Sequence, residues 1–224
     1  MQIAILSGTA QAALFDRGGG LIYDDVLNIT WMQDANYAKT SGYAPGGFLN
    51  WNEAVVWAAN LDYGGYQDWR LPTMLDTGSP GCEGVVYGGT DCGYNVQTYD
   101  SGTGTVYSEL AYMYYVNLGN NAQYDTSGNW QSQYGLFDDP DNPNDESLFV
   151  NFDVIYWSGL EYAPDTAGAW QFNTAYGSQE GAYKEHYATA WAVRPGDVAS
   201  VPEPATLMLL GLGLAGLGAM RRRR

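Results

Sequence analysis

The sequence predicts an α+β domain of two short helices packed on antiparallel strands with long loops, followed by a C-terminal hydrophobic helix. Three observations lead there. Asn50 to Leu61 carries apolar residues at helical spacing behind a capping signature. Ser108 to Leu118 repeats that arrangement more briefly. The other apolar segments are short, rich in Tyr, Trp, Val and Ile, and separated by Gly, Asn and Asp, the pattern of strands joined by turns.

In chain order, Leu21-Ile22-Tyr23-Asp24-Asp25 and Leu27-Asn28-Ile29-Thr30-Trp31 read as two short strands around an Asp-rich turn. A Gly/Pro loop covers Ser41 to Gly47. The helix from Asn50 to Leu61 has Asn50 as its cap and Glu53 three residues on. Its apolar face is Trp51, Ala54, Val55, Ala58 and Ala59, and a stripe of that kind belongs to a core. Gly64-Gly65 then turns the chain into a short strand that Pro72 stops. Ser108 caps the second helix and Gly119 ends it. Asn120 to Asn151 is polar and loop-like, a length that is uncommon without a function. Strands follow at Val154–Ser158, Ala169–Thr174 and Ala188–Arg194. There is no internal repeat.

The chain has 224 residues, of which 15% are aromatic and 15% charged, and a formal charge of −16. The last 22 residues hold four Arg and one Glu, so residues 1–202 carry −19. Their cations are Arg17, Lys39, Arg70, Lys184 and Arg194. Such a field repels phosphates, which excludes nucleic acid as a partner. Cationic partners, divalent metals and neutral sugars remain compatible with it.

Cys82 and Cys92 flank a Gly-rich spacer that turns back easily. In an exported protein the expected reading is one local disulfide, two free thiols being the alternative. At the N-terminus, Ala10-Gln11-Ala12 fits a signal-peptide cleavage pattern, although no basic region precedes the short apolar run Ile3 to Leu6. Residues 1–12 are therefore read as a signal-peptide remnant, against the alternative of a first strand.

At the other end, Val201-Pro202-Glu203-Pro204 precedes an apolar segment, in which Leu207 to Met220 is only Leu, Met, Gly and Ala. Arg221 to Arg224 follow. The segment is short for a span of roughly 20 residues, but a thin bilayer accepts it. The arginines would stay cytoplasmic. These three parts closely resemble the PEP-CTERM sorting signal of Gram-negative bacteria. The resemblance implies recognition by an exosortase, cleavage near the Pro-Glu-Pro box, transient inner-membrane anchoring, and delivery to the cell surface or extracellular matrix. The domain organisation is then 1–12 signal remnant, 13–198 folded domain and 199–224 sorting signal.

The middle of the chain resembles the Lcl C-terminal domain family. The likeness rests on Leu27 to Trp31, Trp51 with Ala54, and Gly65-Tyr66-Gln67-Asp68-Trp69-Arg70-Leu71-Pro72-Thr73. Tyr156-Trp157-Ser158-Gly159, Glu161, Trp170-Gln171-Phe172 and Trp191-Ala192-Val193-Arg194 complete it. The W-R-L-P-T core is also similar to one in the formylglycine-generating-enzyme and fibrobacter major-paralogous groups, which implies a C-type-lectin-like fold. One member of the Lcl family is an adhesin domain for sulfated glycosaminoglycans, but a domain at −19 is unsuited to polyanions. Trp31, Trp69, Arg70, Leu71, Pro72, Trp157, Trp191 and Arg194 are the motif residues. Arg70 and Arg194 lie beside aromatics, where an Arg more often ties a carboxylate or carbonyls across a core than contacts a ligand.

Catalytic patterns are absent from the sequence. A single His and no G-x-S-x-G elbow argue against a Ser-His-Asp device, and no phosphate-binding Gly loop occurs. Asp138-Asp139-Pro140-Asp141-Asn142-Pro143-Asn144-Asp145-Glu146 offers dense oxygen ligands, with Asp139, Asp141 and Asp145 as candidate calcium ligands. It lacks the EF-hand spacing, and a solvated acidic loop is the competing reading. The expected function is a non-catalytic surface or matrix protein in adhesion or biofilm, binding carbohydrate such as extracellular polysaccharide through exposed Tyr and Trp. The alternative is an enzyme acting on extracellular polysaccharide.

Overall fold

The computed structural model describes residues 13–77, 86–136 and 148–198. The architecture is α+β, built on two four-stranded antiparallel sheets. The first holds β1 (Leu14–Asp16), β2 (Leu21–Asp24), β3 (Ile29–Met32) and β10 (Val193–Pro195) in the order β1-β2-β3-β10. The second holds β4 (Gly93–Tyr94), β7 (Ile155–Glu161), β8 (Gly168–Asn173) and β9 (Ser178–Tyr183) in the order β4-β9-β8-β7. A small hairpin pairs β5 (Tyr99–Asp100) with β6 (Thr105–Val106).

The β2–β3 hairpin turns where expected. Asp24 accepts hydrogen bonds from the backbone of Val26 and Leu27, and Asn28 takes a positive φ of 52° to close the turn. Of the three α-helices among the described residues, α1 (Tyr37–Thr40) is a single turn that periodicity does not reveal. Helix α2 (Trp51–Ala59) starts at a complete capping box between Asn50 and Glu53. Its buried face is Ala54, Trp57 and Ala58; Ala59 is exposed, because the helix rotates its larger indole inward.

The second expected helix is real but changes pitch. Helix α3 (Glu109–Tyr112), capped by Ser108, widens into a π-helical turn over Met113–Asn117. This turn anchors two adjacent tyrosines: the Tyr114 hydroxyl donates to the Asn121 carbonyl at 2.8 Å and that of Tyr115 to Gly177 at 2.5 Å. Gly119 follows with a φ of 67°.

Two expected strands need correction. Tyr66 to Leu71 forms no strand, only isolated bridges from Tyr66 to Tyr63 and from Arg70 to Val193. Ala188 to Arg194 is a strand only from Val193. Before that it is a buried connector: Thr189 bridges Tyr156 on β7, and Met32 on β3 donates to the Ala192 carbonyl. The connector thereby ties the two sheets together. Trp191 sits at that junction, its ring 4.6 Å from Trp31, 5.1 Å from Phe149 and 5.5 Å from Tyr156. Its Nε1 donates to the Met32 carbonyl at 2.7 Å, which leaves no polar penalty for burying an indole.

No described helix is long and apolar enough to cross a membrane. The expected C-terminal helix and the signal remnant lie outside the described residues.

Candidate functional site

The motif residues form a scaffold. Trp69 is buried and its Nε1 donates to the carbonyls of Tyr63 and Tyr66. Trp157 donates to the Leu49 carbonyl at 2.9 Å. Leu71 and Pro72 are buried, and the Pro72 carbonyl accepts from Gly159 N and Ser158 Oγ. Arg70 forks onto Glu109, with both N–O distances 2.7 Å. Arg194 forks onto Asp68 at 2.8 and 2.9 Å and stacks 4.1 Å over the Tyr66 ring. That hydrogen bonding holds the Asp68 carboxyl below its ordinary range. A cavity of about 170 Å³ beside Trp69, Arg70 and Leu71 is smaller than the roughly 300 Å³ at which ligand pockets begin.

A larger groove, of about 490 Å³, opens on the β8–β9 pair. It is lined by Tyr162, Asp165, Gln171, Glu180, Tyr183 and His186 together with Gly168, Gly181 and Ala182. Its construction follows from the strands. Trp170 pairs with Gly181 across the ladder. Tyr162, just past the end of β7, packs edge-on against Trp170 at 4.9 Å. A Cβ on Gly181 would lie 3.0 Å from the Tyr162 ring, so the missing side chain is what lets the ring rest on the strand. The Tyr162–Gly168 turn closes with Asp165 N donating to Tyr162 and Gly168 N to Asp165.

On the other wall, Tyr183 and His186 meet edge to face at 5.9 Å. Tyr183 is 60% exposed, which gives a ligand an open aromatic surface. Gln171 Nε2 donates to Glu180 Oε1 at 3.1 Å across the next rung of the ladder. Lys184, next in sequence to Tyr183, turns away: it pairs with Glu161 and lies 4.6 Å over the Trp51 ring. The groove thus combines aromatic walls, two carboxylates and an amide. Sugars need that combination, because a pyranose has an apolar C–H face and a rim of hydroxyls.

Of the six side chains named in the lining, sequence reasoning quotes only Gln171, within the Trp170-Gln171-Phe172 likeness, and gives it no ligand role. Their β9 segment, Ser-Gln-Glu-Gly-Ala-Tyr, carries no β-branched residue to mark a strand. Among the described residues no group of three His, Cys, Asp or Glu could hold a metal. The candidate calcium ligands Asp139, Asp141 and Asp145 lie outside the described residues, as do Cys82 and the box Val201, Pro202, Glu203 and Pro204. Cys92 is buried, and no described cysteine is a free thiol.

Residues 200–224 match the family model of the PEP-CTERM protein-sorting motif. The tail is therefore a PEP-CTERM sorting signal, the mark of an exported surface protein whose membrane-anchored precursor is recognised and processed by an exosortase. No curated protein and no solved structure matches the chain.

Proposed function

We propose that this exosortase-processed surface protein is a non-catalytic carbohydrate-binding component of the extracellular matrix, and that the β8–β9 groove holds the sugar. The observation that carries this reading is that exposed Tyr183, with His186, lines one groove together with Tyr162, Glu180 and Gln171. The aromatic faces bury the apolar side of a sugar ring, while the carboxylates and amide receive its hydroxyls.

Several finer assignments belong to the same proposal. Residues 13–198 form an Lcl-like domain with a C-type-lectin-like fold, supported by the scaffold role of the W-R-L-P-T segment. Cys82 pairs with Cys92. The Asp138 to Glu146 segment attracts divalent cations as a solvated acidic loop. The bacterium is Gram-negative, and the matured protein serves adhesion or biofilm.

Titration calorimetry of the purified chain against soluble extracellular polysaccharides tests the binding function. Saturable binding that weakens in Tyr183→Ala, with no hydrolysis products, is the expected result. Glycan hydrolysis that is lost in Glu180→Gln would replace it with the enzyme reading.

A further inference from the structure

Resting on the reading of the β8–β9 groove as a glycan site, we infer that its ligand is a cationic glycan, a polysaccharide of amino sugars with free amines. Two groups in the groove are acids with an oxygen open to its solvent side. Glu180 is half-buried, and its Oε1 accepts from Gln171. Asp165 is exposed, and its Oδ1 accepts from Ala167 N. Among the described residues no lysine or arginine lines the groove to neutralise them. The neighbouring cation, Lys184, is committed to Glu161 and the Trp51 ring.

This is an unusual arrangement for a neutral ligand. A neutral sugar can donate its hydroxyls to these carboxylates but leaves their two net negative charges uncompensated. An ammonium group at the sugar's rim meets both carboxylates as ion-pair partners and the tyrosine faces as cation–π partners. The rest of the molecule adds to this. Residues 1–202 carry −19, so a polycation is drawn to the surface and an anionic glycan is repelled.

The test compares oligomers of glucosamine with fully N-acetylated oligomers of the same length. Binding is measured by calorimetry on the full chain in a neutral, non-glycosidic detergent, slightly below neutral pH and at about 0.15 M salt, where surface charges are screened beyond about 8 Å. The free-amine oligomer should bind about fivefold tighter, the scale of one solvent-accessible ion pair. Glu180→Gln and Asp165→Asn should each remove that advantage, bringing the affinity of the free-amine oligomer down to that of the acetylated one. Equal affinity for the two oligomers would overturn the inference and leave the groove reading standing. A preference for amines that survives both substitutions would also overturn it, since attraction to the whole acidic surface would then explain the result. Binding of neither oligomer, nor of any neutral glycan, would instead sink the groove reading itself.

Discussion

The Arg70 guanidinium lies in a two-point fork on the Glu109 carboxylate, which also accepts the backbone amide of Thr73 at 2.7 Å. One carboxylate therefore fixes the W-R-L-P-T segment to the start of α3. Glu109 is 4% exposed, whereas the Arg70 side chain is 37% exposed and partly screened. Replacing the acid is thus the more damaging change. Glu109→Ala should destabilise by about 2–3 kcal/mol, below the value for a fully buried pair. Arg70→Lys keeps the charge but loses the fork and should cost about 1 kcal/mol. Urea unfolding of both variants checks the order.

The start of α2 gives a cleaner case. Asn50 Oδ1 accepts from Glu53 N at 3.0 Å, and Glu53 Oε2 accepts from Asn50 N at 3.1 Å. Asn50→Ala should cost about 1 kcal/mol, while Asn50→Asp should cost almost nothing. Thermal melts would show the difference directly.

Two buried or paired acids should respond to pH in opposite directions. Burial raises the Asp24 carboxyl above its ordinary value, even though Leu27, Asn117 and Val26 hydrogen-bond to it. Its contribution is most favourable below the unfolded value of 3.8 and is lost as pH rises through the raised folded value. Asp68, held low by Arg194, behaves oppositely: its stabilisation is present above 3.8 and is lost as pH falls through the lowered folded value. Asp24→Asn should therefore gain on the native protein as pH rises from 4 toward neutrality. The Asn117 amide can turn its unpaired Oδ1 toward the new NH₂ group to keep the site satisfied. Asp68→Asn should flatten the acid side of the stability profile. Melts at intervals from pH 3 to 7 measure both.

Gly181 links the scaffold to the groove. Gly181→Val would push the Tyr162 ring off the strand, because a Cβ there already sits 3.0 Å from it. Glycan affinity should fall about tenfold, roughly 1.4 kcal/mol, the scale of one misplaced ring contact. Tyr162→Ala should fall by a similar factor, and the double variant should add little further loss because both act on one contact. Calorimetry on the three variants tests that non-additivity.

Much of the frame was legible because its signals are local. The Asn50–Glu53 box, the Ser108 cap and the Asp24-to-Asn28 turn each announce themselves within a few residues. The arginines were legible too, since few cations were available and each stood beside aromatics. What escaped is non-local. The pairing of β9 with β8 makes Ser178–Tyr183 a strand despite its weak propensity, and that pairing alone brings Glu180 beside Gln171. Trp57 displaces Ala59 from the core face of α2 because tertiary packing chooses the larger ring. The strand expected at Tyr66 to Leu71 is replaced by single bridges, Tyr66 to Tyr63 and Arg70 to Val193, which depend on distant and turn partners.

The central claim is that the β8–β9 groove binds glycan, and titration of the chain with matrix polysaccharide, native against Tyr183→Ala, tests it most directly. The account predicts saturable binding that falls at least about tenfold in the variant, since an exposed ring contributing about 1.4 kcal/mol or more is removed while the fold is untouched. Equal affinity in the two proteins, with both fully folded by circular dichroism, would contradict it.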